Sequence, residues 1–361
     1  MSWHTFKEDI FPISRKQWNT MTESWNWNQI MHGPGMRGDV TSDIRPMIKQ
    51  FYTPAPYSKL VQDGEVLVVG VGGIGCLWAV EAHSGCPNLA ELLLIDADES
   101  SFEGASDANC LFLDSGGEGR GAAALPSMAI HRLRDGMESI SDLLDRAEVM
   151  ILMTGLGGGM GSGASGELAR MAKQFGCLVL SVAGLPFAEQ PLRCSIAEEA
   201  LPSLEANSDV CIRVSMERLA WQSRRRKTNW MIGSGWIGEL VEGLVTTLAS
   251  VGRINLDLMD MKAIINKNGN ATLIVGTGSS ENPSSVVEMA RNSPLNDVTI
   301  EGAKGCMIQV EGGPDMTLSH LTELTDTFVS QMDPDCQVIM GARVSDEMIG
   351  KLRLVAVVSG I

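Results

Sequence analysis

Glycines are concentrated in the run GLGGGMGSG at positions 155–163. This run follows an apolar stretch at 149–153, which is typical of a buried strand, and precedes a helical pattern at 165–175. A glycine backbone can approach a phosphate closely, and the first N–H groups of a helix point towards it. The order of strand, glycine turn and helix start therefore predicts a phosphate-binding loop. No Gly-Lys-Ser/Thr follows, so the loop is not of the P-loop type.

A second glycine turn, GVGGIG at positions 70–75, follows the apolar strand predicted at 66–69 and opens a helix that we expect to extend through His83. Taken alone it fits the dinucleotide-binding fingerprint, because Asp96 lies about 20 residues on, where a ribose-binding acid belongs. The segment through Asp98 also resembles enzymes that adenylate ubiquitin-like proteins. Both alternatives concern only the first 115 residues or so, and neither accounts for the glycine loop at 155–163.

Three motifs together resemble the tubulin/FtsZ family. The loop at 155–163 is similar to the phosphate loop of that family, which is usually written GGGTGTG or GGGTGSG. The motif NLDLMD at 255–260 resembles the N-x-D-x-x-D catalytic loop of FtsZ, and residues 293–361 resemble its C-terminal domain. The matches run in order from about residue 65 to the end. The chain is identified as a divergent FtsZ-like member of the tubulin/FtsZ superfamily.

The resemblance implies that GTP or GDP binds with Mg²⁺ on its phosphates. The two glycine turns would hold the phosphates, Asp98 would lie in the next loop, and the loop at 115–121 would approach the γ-phosphate. Glu189 would contact the ribose and Arg193 the guanine; the alternative is an ion pair on a helix surface. The implied nucleotide-binding residues are Gly72, Gly73, Ile74, Gly75, Asp98, Gly119, Gly157, Gly158, Gly159, Met160, Gly161, Ser162, Gly163, Glu189 and Arg193.

The same resemblance assigns catalysis to Asn255, Asp257 and Asp260. In the family this loop reaches the nucleotide of the next subunit, so that the partner is a second copy of the chain in a head-to-tail protofilament. The two aspartates would orient the attacking water near the γ-phosphate. The alternative is that they cap the start of a helix, where aspartate is favoured in any case.

Several residues depart from the family pattern. Met160 replaces a threonine of the phosphate loop, Met216 replaces an asparagine of the base region, and Gly235 stands where an aspartate pairs with guanine. We therefore expect weak hydrolysis and reduced base selectivity. Three hypotheses stay open: a filament-forming GTPase, in cell division for example, a filament-forming paralogue with little hydrolysis, and a dinucleotide-dependent or adenylating enzyme.

Composition limits the remaining choices. The formal net charge of −16 argues against binding to nucleic acid. The eight cysteines form no C-x-x-C pair, which indicates reduced core thiols and argues against disulfides and zinc. The longest apolar runs are shorter than the ~20 residues of a membrane helix, and the N-terminus lacks a signal core. These features favour a cytoplasmic protein.

Apolar strands that alternate with helices predict an α/β fold, namely a Rossmann-like GTPase domain joined by a central helix to a second α/β domain. The predicted divisions are an N-terminal arm at 1–60, a nucleotide-binding domain at 61–235, the central helix at 236–254 and a C-terminal domain at 255–361. The arm contains four of the eight tryptophans, at positions 3, 18, 25 and 27. It is either packed on its own domain or a docking element for a neighbouring subunit, a partner or a membrane.

Overall fold

The structure is a computed structural model, and it describes residues 13–14, 65–103, 105, 108–113, 125–249, 254, 256, 258–265, 270–293 and 299–361. Asn255, Asp257, Gly119 and nearly all of the N-terminal arm lie outside these ranges. From the arm it describes a two-residue strand, β1 (Ile13–Ser14). The predicted α/β fold class is confirmed, with a parallel six-stranded sheet and a second sheet.

The first sheet is entirely parallel in the order β4-β3-β2-β5-β6-β7. Its strands are β2 (Val66–Val71), β3 (Glu91–Asp96), β4 (Asn109–Phe112), β5 (Val149–Gly155), β6 (Leu178–Leu185) and β7 (Val210–Ser215). The inner strands β2 and β5 are buried along almost their whole length, because helices cover both faces of the sheet. Val68 and Ile151 belong to one hydrophobic core, and Val69 and Leu152 belong to the other.

Helices of the first domain divide between these two cores. Those on the Val69 face are α2 (Pro126–Gly136), α3 (Ser141–Arg146), α4 (Gly159–Gln174) and α5 (Pro191–Ala206). Those on the Val68 face are α1 (Gly72–Ser84), α6 (Met216–Arg226) and the central helix α7 (Trp236–Ala249). Short 3₁₀ helices lie at Glu99–Phe102, Met137–Ser139 and Trp230–Gly235.

The second sheet is mixed and has the order β1-β10-β9-β11-β8. Strands β9 (Gly305–Gly312) and β10 (Gln337–Val344) pair in parallel, and β11 (Lys351–Ser359) pairs antiparallel with both β9 and β8 (Ala271–Ser279). Helices α9 (Pro283–Arg291) and α10 (Leu318–Val329) share the core on one face, and α8 (Leu258–Ile265) and α7 share the core on the other. A last 3₁₀ helix lies at Asp346–Met348.

Helix α7 joins the two sheets through one continuous core. Most of its residues are buried, and they share a cluster with Val68 and Ile151 of the first sheet and with Val355 of the second. Gly243 allows the close approach, because a β-carbon there would overlap the side chain of Val355. Polar contacts add to it, since Arg353 Nη1 donates to Glu242 Oε1 at 3.0 Å. The central helix is therefore part of both domains.

All eight cysteines are unpaired in the structure, and five of them are buried. Burial raises the pKa of Cys86 to about 12 and that of Cys177 to about 11. Cys110, on the edge strand β4, is exposed. Among the helices that the structure describes, none is both long and apolar enough to cross a membrane.

Candidate functional site

A cleft of about 510 Å³ opens at the carboxyl ends of the parallel strands. Such ends are where ligands bind in open α/β sheets. The lining comes from the turns that follow β2, β3, β5 and β6, from the start of α6 and from the 3₁₀ turn before α7. The lining residues are Gly72, Gly73, Ile74, Asp96, Asp98, Ser101, Gly155, Leu156, Gly158, Gly159, Met160, Gly161, Pro186, Phe187, Gln190, Arg193, Met216 and Trp230.

The two glycine turns contact each other in the middle of the cleft. Gly72 has φ = 73°, and a β-carbon there would lie 3.1 Å from the backbone nitrogen of Gly161. The hydroxyl of Thr154 lies 3.3 Å from the carbonyl oxygen of Val71 and 3.2 Å from that of Gly161, and can donate to either. A side chain at Gly72 would force the turns apart. Glycine at this point therefore lets both turns present backbone N–H groups to one ligand.

Helix α4 begins in the cleft with no side chain capping its first turn. Its first N–H groups have no partner within the helix, and they lie at its positive end. Gly158, the residue before the helix, has an extended backbone, and a β-carbon there would meet no atom within 4 Å. The hydroxyl of Ser162 accepts from the N–H of Gly157 at 2.8 Å and so fixes the turn. This arrangement suits an anion such as a phosphate.

Two carboxylates line the β3 end of the cleft. Asp96 is 4% exposed and accepts from the N–H of Ala97 at 2.7 Å and from the hydroxyl of Ser101 at 2.5 Å. Burial raises the pKa of Asp96, and the hydrogen bond from Ser101 opposes that shift. Asp98 caps the next 3₁₀ turn by accepting from the N–H and the hydroxyl of Ser100. Both acids are held by their own loop.

Aromatic and apolar side chains line the opposite end of the cleft. The rings of Phe187 and Trp230 meet edge to face, with centroids 5.3 Å apart and an interplanar angle of 87°. Met216 lies beside them and is 5% exposed. Gln190 and Arg193, on either side of the start of α5, add an amide and a guanidinium. This end can hold a flat ring and offers few charged groups.

The predicted site residues are distributed unevenly around the cleft. Those that line it are Gly72, Gly73, Ile74, Asp98, Gly158, Gly159, Met160, Gly161 and Arg193. Gly75, Gly157, Ser162, Gly163 and Glu189 do not. A β-carbon at Gly75 would overlap the carbonyl of Met153, and one at Gly163 would overlap the carbonyl of Pro126, so both glycines allow close backbone packing. Glu189 is exposed and lies in the turn before α5. The nucleotide contacts of all these residues stay predictions.

The predicted catalytic loop is described only in part. Asp260 lies in the first turn of α8, is half-buried and does not line the cleft of its own chain. Gly235 does not line the cleft either, whereas Met216 does. Trp230, which lies in the 3₁₀ turn before α7, lines the cleft but is not among the predicted site residues. Its contact with Phe187 joins positions 43 residues apart, and no local pattern marks such a contact.

Comparisons with known proteins agree with this architecture. The GTPase domain of the tubulin/FtsZ family matches residues 65–222, and the C-terminal domain of the FtsZ family matches residues 269–361. "Cell division protein FtsZ 2" of Haloferax volcanii is 31% identical over 307 residues, which cover 83% of this chain and 76% of that protein.

Solved structures of FtsZ and CetZ proteins are similar in fold to this chain. An empty FtsZ dimer from M. jannaschii has a TM-score of 0.72 and 27% identity, covering 89% of this chain and 93% of that one. A GTPγS-bound protofilament of CetZ2 from Haloferax volcanii has a TM-score of 0.66 at 17% identity, covering 82% of this chain and 93% of that one, and shares the fold alone. With its glycine turns, its two matched domains and these relatives, the chain belongs to the tubulin/FtsZ family, whose members are GTPases.

Proposed function

We propose that this chain binds GTP in the cleft and hydrolyses it where two copies stack head to tail, as a filament-forming cytoskeletal protein of the cell-division type. The observation that carries the proposal is the pair of glycine turns in contact beneath the uncapped start of α4. Such a turn can surround a phosphate with N–H groups, and the open space at Gly158 leaves room for it. GDP would occupy the same site after hydrolysis.

The position of Asp260 supports a site shared between subunits. Asp260 does not line its own cleft, and its neighbour Met259 is 70% exposed. Near the cleft, Leu192 is 71% exposed and Met231 is 42% exposed. Apolar side chains left in water on both surfaces are suited to burial between copies. A head-to-tail contact that repeats without closing builds a filament.

The described residues fit Mg²⁺ only if the phosphates of a bound nucleotide supply some of its ligands. Among the described residues, no three His, Cys, Asp or Glu side chains form a group that could hold a metal. Mg²⁺ commonly keeps several waters and takes the rest of its ligands from phosphates and one or two carboxylates. The carboxylates that line the cleft, Asp96 and Asp98, are the candidates. The ion would neutralise phosphate charge, and the chain would position the nucleotide and the attacking water.

A mixing experiment tests the shared site. We expect Asp260→Ala to bind GTP without hydrolysing it, and Gly158→Leu to lose binding in its own cleft while keeping an intact aspartate loop. Phosphate release should be near zero for each variant alone. It should return in part when the two are mixed, because some interfaces then pair an intact cleft with an intact loop. A mixture that co-pellets but stays inactive would contradict the shared mechanism.

A second candidate is a filament-forming paralogue with little hydrolysis. It is favoured by Met160, which puts a thioether where the family has a hydroxyl at the phosphate loop. The two candidates differ in one measurement, which is phosphate release by the unmodified chain under conditions where GTP-dependent filaments pellet. Filaments without phosphate release would select the second.

A further inference from the structure

The cleft has two chemically different ends. Asp96 is the last residue of β3 and Asp98 follows it, whereas Phe187 follows β6. Between them lie β2 and β5 with their glycine turns, so the two ends are three strand spacings apart, or about 14 Å. If the glycine turns hold the phosphates, as the proposed function has it, the purine lies at the end formed by Phe187, Trp230 and Met216.

Among the described residues that line the purine end, none is a carboxylate, the group that can accept from both N–H donors of guanine. Guanine presents N1–H and N2–H donors, which a carboxylate can accept. Among the described lining residues at this end, Phe187, Met216 and Trp230 are apolar, and Gln190 and Arg193 carry an amide and a guanidinium.

Two glutamates lie nearby, but neither lines the cleft. Glu217 Oε1 already accepts from the N–H of Ala188 at 2.7 Å, and Glu189 is exposed in the turn before α5. A guanidinium only donates, so Arg193 can serve the 6-oxo group of a purine and cannot accept from its 2-amino group. An amide such as that of Gln190 gives one neutral acceptor, which N1–H alone can satisfy.

We propose that this cleft binds a 6-oxopurine nucleotide through the faces of its ring and its 6-oxo edge, without discriminating the 2-amino group. GTP and ITP differ only in that group, so the chain would use both equally well. The inference rests on the proposed function, because it requires a nucleotide in this cleft. The specificity would then come from Phe187 and Trp230, which offer ring surface, and from Arg193.

Calorimetric titration of the full chain with GTP and with ITP tests this. We expect dissociation constants within about threefold of each other, whereas a site built to pair a polar group rejects an analogue lacking it by ~10⁴-fold. A preference for GTP above roughly a hundredfold would overturn the inference while leaving the proposed function intact. Failure of both nucleotides to bind would contradict the proposed function itself.

A gain-of-function variant tests where the ring edge lies. Gln190→Glu places a carboxylate at the purine end, and we expect it to raise the preference for GTP over ITP by about tenfold or more. Gln174→Glu, at the exposed end of α4, adds the same charge away from the cleft and should leave that ratio unchanged. An unchanged ratio in Gln190→Glu would place the ring edge elsewhere and contradict the inference.

The aromatic contact has its own control. Trp230→Ala should weaken the binding of GTP and of ITP by the same factor, about tenfold, because stacking on the ring face does not involve the 2-amino group. Trp221→Ala removes a tryptophan that is 56% exposed and lies outside the lining, and serves as the matched control. A loss in Trp230→Ala confined to GTP would overturn recognition through the ring faces.

Discussion

Gly158 leaves open the space in which we propose that the phosphates bind. Its backbone is extended, so another residue can adopt the same conformation there. We expect Gly158→Leu to fold normally, because no atom lies within 4 Å of the added β-carbon. The larger part of the side chain would enter the space of the phosphates and reduce GTP affinity by about a hundredfold, or ~2.7 kcal/mol. Calorimetric titration measures this.

The control is a second glycine with open space around it. Gly238, in α7, also has no atom within 4 Å of an added β-carbon and does not line the cleft. Gly238→Leu should keep the GTP affinity of the unmodified chain. Thermal unfolding of both variants separates loss of binding from loss of the fold. Equal GTP affinities for the two variants would show that Gly158 does not face the phosphates.

The charge of Glu167, in α4, contributes to pH-dependent stability. It pairs with Arg170 at 2.9 Å and with Arg134 at 2.7 Å, and these hydrogen bonds lower its pKa from 4.5 to about 2. A carboxylate with a lowered pKa stabilises the fold above its unfolded pKa, and that stabilisation is lost as the pH falls from about 4.5 to about 2. We expect Glu167→Gln to cost about 1 kcal/mol near pH 7, because both arginines are partly exposed and screened by water.

Urea unfolding at neutral pH and near pH 3 measures the difference between Glu167→Gln and the unmodified chain. The difference should shrink towards the acid end, because the stabilisation from ionised Glu167 in the unmodified chain is already partly lost at pH 3. Glu199→Gln, which changes an exposed residue on α5, is the control and should have little effect at either pH. A constant difference at both pH values would assign the effect to packing instead.

The positions of the glycine turns between strand and helix could be predicted from the sequence, because the pattern that marks them is local. A strand, a turn with glycines and a helix start lie within about 20 residues, and their hydrophobic pattern is strong. Trp230 could not be predicted, because its place on the cleft depends on contact with Phe187 across the fold. The same limit applies to Gln190, which lines the cleft where the neighbouring Glu189 does not.

At the scale of elements, apolar runs predict eight strands, at 66–69, 92–95, 149–153, 178–182, 271–275, 306–310, 337–340 and 352–358. The structure has β2, β3, β5, β6 and β8 to β11 at these places. Three described strands were not predicted, β1, β4 and β7, and all three lie at sheet edges. An edge strand is half exposed, so polar residues interrupt its apolar pattern: Arg213 is exposed in the middle of β7. Buried strands are therefore easier to recognise than edge strands.

One arginine adds polar contacts to the apolar packing of α7 against the second sheet. Arg353 on β11 is 11% exposed and donates to Glu242 on α7 at 3.0 Å and to Glu311 on β9 at 3.2 Å. We expect Arg353→Ala to cost about 2–3 kcal/mol, because Glu311 would stay buried with its charge poorly compensated. Chemical denaturation gives the free energy of unfolding.

Arg146→Ala is the comparison variant. Arg146 is 52% exposed and pairs with Glu91 at 3.4 Å, so that removing it should cost less than about 1 kcal/mol. If the two variants lose the same stability, the Arg353 network does not hold the central helix to the sheet.

At the scale of the molecule, β1, the described part of the N-terminal arm, does not line the cleft. The described lining begins at Gly72 and ends at Trp230, and β1 pairs instead with β10 of the second sheet, with Ile13 opposite Val338. We expect deletion of residues 1–55 to leave GTP affinity within about twofold, since the phosphate contacts arise elsewhere. Filament form, bundling or localisation should change, which electron microscopy and imaging would record. Unaltered filaments and localisation would show that the arm has no role in assembly or attachment.

The burial of α7 also bears on how such a chain can recombine. Because one helix completes the cores of both sheets, neither domain carries a full set of packing partners by itself. A chimera that joins the first domain of this chain to the second domain of a relative would have to match α7 to two unfamiliar surfaces at once. The two halves of the chain are thus expected to be inherited as one piece, and shuffling of domains is disfavoured at this junction.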